Sequence, residues 1–110
     1  ELPIAAFGVI GLETALPLTM ELLVNRKVLS LAKAIALLSW KPAQAFHLDR
    51  RGLGSLQPGA PADFVLFDPG AQVQVDRAFI QSKSYNTPFK GWSLPGKVIG
   101  TWVGGKRVWG

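Results

Sequence analysis

The sequence contains no cysteine and a single histidine, His47. The first absence excludes disulfides and thiolate metal sites. The second leaves too little for a metal centre, because hydrolytic metal sites draw on several convergent His, Asp or Glu ligands. Charge is scarce too. Asp, Glu, Lys and Arg make up 17% of the 110 residues, against roughly a quarter in an ordinary soluble domain. A surface with so little charge is expected to be covered in part by something else. No apolar run is long enough to cross a bilayer, so no membrane partner is expected.

Acidic residues stop at Asp76, while six basic residues follow it (Arg77, Lys83, Lys90, Lys97, Lys106, Arg107). An anionic partner such as nucleic acid is one reading of that asymmetry. The basic residues are spread along the chain without a nucleic-acid motif. Solvated spacing, or complementarity to an acidic part of the same protein, is therefore the reading adopted, and no nucleic-acid partner is expected. Nucleophile motifs are missing as well. Ser82, Ser84 and Ser93 sit in no G-x-S-x-G elbow. Gly8-Val9-Ile10-Gly11 lacks the Lys-Ser/Thr that would make it a phosphate loop. The seven carboxylates are scattered, and His47 is read as a helix-end residue. No catalytic residue and no metal ligand is assigned within the chain, which alone is not expected to be an enzyme. It opens on Glu1 without a basic, then apolar, leader, so no signal peptide is expected and the chain is read as a piece of a longer one.

What the sequence does contain changes character near residue 50. The first part is helical. A helix is expected over 14–25, with Pro17 in its first turn and Leu16, Met20 and Leu23 along one face. Ser30 caps a second helix, Leu31 to Ser39, which is apolar nearly all round and so is expected to be covered nearly all round. Pro42 opens a short third helix to about Phe46. The second part is extended and broken by Gly and Pro. Pro58-Gly59 fits a type II turn. A strand, Phe64 to Phe67, is expected to stop at Asp68-Pro69-Gly70, with Gln72 to Val75 pairing beside it. Residues 77–95 read as one long irregular stretch. Lys97–Val103 and Lys106–Trp109 then form a hairpin about Gly104-Gly105, with Trp92, Trp102 and Trp109 as the large apolar anchors.

Three segments carry a resemblance: Phe7-Gly8-Val9-Ile10-Gly11-Leu12-Glu13-Thr14-Ala15-Leu16-Pro17, then Leu56-Gln57-Pro58-Gly59-Ala60-Pro61-Ala62-Asp63-Phe64-Val65-Leu66-Phe67-Asp68, then Ser82-Lys83-Ser84-Tyr85-Asn86-Thr87-Pro88-Phe89 through Gly96-Lys97-Val98. In order and spacing the chain resembles the C-terminal portion of dihydroorotases of the long bacterial and multifunctional type, in the amidohydrolase superfamily.

The resemblance implies an α/β fold. Residues 1–49 would be the last loop and helices of a (β/α)8 metal-dependent hydrolase barrel. Residues 50–110 would be the C-terminal strands of a small composite β-sandwich. It implies a cytoplasmic enzyme of pyrimidine biosynthesis that interconverts N-carbamoyl-L-aspartate and (S)-dihydroorotate. Zinc would activate water and polarise the amide carbonyl, and an aspartate would move the proton, with all these groups upstream of Glu1. Only Phe7 and Gly8 are carried over as substrate-binding residues. A glycine there lets a ligand approach the main chain; without the resemblance, a tight bend is the reading of Gly8. Ala6 stands where a proline commonly precedes the pair. A homo-oligomer, a non-catalytic scaffold partnering a carbamoyltransferase, and an allantoinase- or hydantoinase-like amidohydrolase are further readings that the resemblance allows.

Overall fold

In the computed structural model of the chain, residues 8–110 are described. The helical part begins with α1, Ala15–Thr19, which runs directly into a π-helical turn, Met20–Val24. Together they span nearly the helix expected from the sequence. The pitch widens at Met20, where Asn25 N–H reaches back to the Met20 carbonyl at 2.8 Å. Pro17, in the first turn where its missing N–H has no partner to lose, is buried.

Ser30 caps α2, Leu31–Leu38, its hydroxyl accepting from Lys33 N–H at 3.2 Å. The third helix, α3, is Trp40–Ala45 and so starts two residues before Pro42. Pro42 sits in its first turn, and its ring would clash with the carbonyl four residues earlier, that of Leu38. That clash accounts for the end of α2. Ser39 turns the chain between the helices, its hydroxyl donating to the Ile35 carbonyl at 2.7 Å. A 3₁₀ turn, Leu48–Arg51, completes this part.

Three antiparallel strands follow in the order β1-β2-β3: Phe64–Gln74, Ser93–Val103 and Lys106–Trp109. Asp68-Pro69-Gly70 does not stop the first strand. The Asp68 carboxylate accepts from Gly70 N–H at 2.9 Å and Ala71 N–H at 3.2 Å, folding the turn signal into an irregularity of one continuous strand. Phe64–Phe67 and Gln72–Gln74 therefore both pair with β2 rather than with each other. The same pairing shortens the irregular stretch, since Ser93, Leu94 and Pro95 lie opposite Gln74, Val73 and Gln72. The turn about Pro58-Gly59 is present, with Gly59 at φ +87 and Ala60 N–H bonded to the Gln57 carbonyl at 3.0 Å. In the β2–β3 hairpin both Gly104 and Gly105 take positive φ, as a two-residue turn with the twist of the strands requires.

The buried cluster lies beneath the long loop. Val75, Ile80 and Leu94 form it, with Ile10, Leu18, Val73, Phe79, Tyr85 and Phe89 packed around. The tryptophans are not its anchors. Trp92 and Trp109 are 47% and 45% exposed, and Trp102 stacks on Phe64 at 4.8 Å on the outer sheet. Among the described residues, no further layer covers them. The helices α2 and α3 are uncovered in the same way, with Leu31, Ile35, Leu37, Leu38, Trp40 and Phe46 all exposed. The radius of gyration, 15.8 Å, exceeds the ~13 Å of a compact chain of this length.

Two results are expected from this packing. Residues 1–110 made alone should self-associate in sedimentation and bind a hydrophobic dye, and a sharp, dye-free monomer would contradict the exposed helical faces. Gly96 has φ +96, and a Cβ added there would lie 2.9 Å from Met20 Cγ. Gly96→Ala in the full-length protein should cost about 1–3 kcal/mol through strain and overpacking, read as a lowered denaturant midpoint.

Candidate functional site

Of the two residues singled out for substrate, Phe7 lies outside the described residues. Gly8 is exposed, and among the described residues an added Cβ would meet nothing within 4 Å. Its carbonyl accepts a hydrogen bond from Asn86 Nδ2. Two residues on, Ile10 N–H donates to the Asn86 carbonyl at 2.9 Å.

The segment 8–13 is thereby fastened to the loop that joins β1 to β2. Glu13 makes the second fastening. Its Oε1 accepts from Gln81 N–H at 3.2 Å, Ser82 N–H at 2.7 Å and Ser82 Oγ at 2.6 Å. The Ser82 hydroxyl, above all, holds the Glu13 carboxyl below its ordinary value, while burial pulls the other way. Among the described residues, its second oxygen is buried without a partner. The loop is closed at its base, where Val75 N–H meets the Trp92 carbonyl and Gly91 N–H meets the Val75 carbonyl, each at 2.8 Å. Within it, Lys90 Nζ stands 4.7 Å and the Arg77 guanidinium 5.8 Å from the centre of the Tyr85 ring.

Neither Asn86 nor Glu13 was given a role from the sequence alone. Their only signal is membership in two of the three segments that carry the resemblance. Elsewhere, an open hollow of about 460 Å³ is lined by Trp40, Asp49, Arg50, Arg51 and Gln57 among others. Gly8 is not part of its lining.

Zinc does not fit the donor set. Among the described residues, no three His, Cys, Asp or Glu side chains come together. His47 is exposed and takes the left-handed conformation, φ +58, that ends α3. What the site can do is present an ordered main chain. Among the described residues, no helix is long and apolar enough to cross a membrane.

The Glu13 fastening carries a pH signature. A carboxyl with a lowered folded-state pKa adds stability that is full above the ordinary value of 4.5 and is lost as pH falls through the folded value. Glu13→Gln is expected to cost about 1–2 kcal/mol at neutral pH, by exchanging charge-assisted bonds for neutral ones. That gap should narrow as pH drops below 4.5. Urea midpoints of both proteins across that range are the measurement.

Comparison with known proteins agrees with the segments quoted from the sequence. The amidohydrolase family profile matches residues 6–108. A dihydroorotase of Halalkalibacterium halodurans is 42% identical over 105 residues, 96% of this chain and 24% of the relative. One from Syntrophotalea carbinolica is 46% identical over 106 residues, again 96% of this chain and 24% of the relative. Among solved structures, the L-hydantoinase (dihydropyrimidinase) of Arthrobacter aurescens superposes with a TM-score of 0.85 at 32% identity, covering 98% of this chain and 24% of that one. The chain spans about a quarter of the length of these relatives. The mixed helices and strands and the resemblance to dihydroorotases are borne out together, and the chain belongs to the amidohydrolase family.

Proposed function

We propose that this chain is the C-terminal part of a zinc-dependent dihydroorotase that interconverts N-carbamoyl-L-aspartate and (S)-dihydroorotate in pyrimidine biosynthesis, in the cytoplasm. Gly8 carries the reading. The described residues give no steric reason for a glycine at that position. The reason is assigned to what approaches from outside, a substrate oxygen reaching the main chain. With its carbonyl committed to Asn86, Gly8 offers its amide N–H, which suits a carboxylate or imide oxygen, and Phe7 is proposed to flank it.

In this reading residues 1–49 end the (β/α)8 barrel and residues 50–110 supply strands to a composite β-sandwich. The uncovered faces of α2, α3 and the sheet are those the rest of the protein would cover. The metal ligands and the proton-moving aspartate belong to that remainder. This chain binds and positions substrate and leaves the activation of water to the zinc site. The superposition on an L-hydantoinase favours one second reading, another cyclic amidohydrolase of hydantoinase or allantoinase type.

Assay of the full-length protein separates the two. Turnover of dihydroorotate far above that of hydantoins and allantoin is expected, and the reverse preference would replace the first reading by the second. Gly8→Val in that protein should raise KM much more than it lowers kcat, because the contact serves ground and transition states alike. One lost main-chain bond to a charged group is worth roughly 1.5–3 kcal/mol, about ten- to a hundredfold. Phe7→Leu should do less. A folded, zinc-loaded Gly8→Val protein with the parent KM would remove Gly8 from the site.

A further inference from the structure

The segment 8–12 has little of its own to hold it in place. Gly8 and Gly11 have no side chains, and Val9 and Leu12 are 65% and 88% exposed. Ile10 alone packs against the buried cluster. The main chain is instead gripped at two points by one residue of a remote loop. The side-chain amide of Asn86 donates to the Gly8 carbonyl and its main-chain carbonyl accepts from Ile10 N–H.

Asn86 is itself well placed to serve as a fixed post. Its N–H donates to Ser84 Oγ at 3.1 Å. The next residue, Thr87, is only 5% exposed, and its hydroxyl accepts from Phe89 N–H at 3.2 Å. The loop thus orders itself through its own bonds, and the Asn86 side chain is free to act on the other segment. The chemistry asks for an amide. Aspartate has the same shape but would oppose a carboxylate oxygen to the Gly8 carbonyl, and alanine reaches nothing.

We propose that Asn86 is a positioning residue for substrate: by holding the Gly8–Val9 peptide and the Ile10 amide, it anchors the main chain from which the Gly8 amide N–H is offered. The proposal rests on the reading of Gly8 given above. It adds a residue whose action is indirect, through a backbone it does not share.

Asn86→Asp and Asn86→Ala in the full-length protein test it, with N-carbamoyl-aspartate and dihydroorotate as substrates. A misplaced main-chain donor should raise KM about tenfold while kcat changes less than about threefold, with zinc content and melting temperature kept. Combining Asn86→Asp with Gly8→Val should add little to Gly8→Val alone, since both act on one contact. Independently of turnover, amide hydrogen exchange at Val9 and Ile10 should quicken in Asn86→Asp. If Asn86→Ala fails to fold, Asn86→Asp, which keeps the shape and the Ile10 bond, carries the test. A parental KM in Asn86→Asp beside a raised KM in Gly8→Val overturns the role of Asn86 and leaves Gly8 in place. A parental KM in both overturns the reading of Gly8 and this proposal with it. A fall in kcat that tracks lost zinc or a lowered melting temperature overturns it too, marking Asn86 as a residue of general stability.

Discussion

The strand β2 is the element that the described structure cannot do without. It pairs with β1 on one side and β3 on the other, and it is also the surface on which α1 and the π-helical turn rest. Those duties conflict at one point, Gly96, because a strand residue with a side chain would run into Met20. Glycine at positive φ resolves the conflict at the cost of a weaker strand there. The widened π-helical pitch begins at Met20, the residue that lies against this gap. Close approach between helix and sheet is thus obtained from both partners, one by losing its side chain and the other by loosening its coil.

Around that junction the burial is lopsided. The region where 8–18, 73–80 and 85–94 meet is a small true core, whereas α2, α3 and the outer end of the sheet hold large apolar residues in the open. Phe64, Val65 and Leu66 are exposed on successive positions, hence on both faces of β1. Both faces of that strand therefore offer apolar surface for packing. The low content of charge tells the same story from composition, since surfaces meant for water carry more of it.

Local rules read well from the sequence. Ser30 as a cap, Pro58-Gly59 as a turn and Gly104-Gly105 as a hairpin depend on dihedral preferences of neighbouring residues, and all three are found. The reading failed where a distant strand overrides a local signal. Asp68-Pro69-Gly70 has every mark of a terminator, yet pairing with β2 on both sides carries the strand across it. The tryptophans misled for a related reason, because size predicts burial only when something is present to bury against. As for the site, Gly8 entered through resemblance, and Glu13 and Asn86 could not have been connected to it by spacing. Their partners lie 68 to 69 and 78 positions away, beyond the reach of any periodicity.

Those long separations also set an order in time. At the usual pace of synthesis, roughly 5–20 residues per second, residues 81–86 leave the ribosome several seconds after residues 8–13. During that interval neither Glu13 nor the Gly8 main chain has its partner. A nascent chain can form its helices early, because their bonds are local. The face proposed to meet substrate acquires its shape only when the later loop arrives, so it cannot form before residues 81–86 have been made.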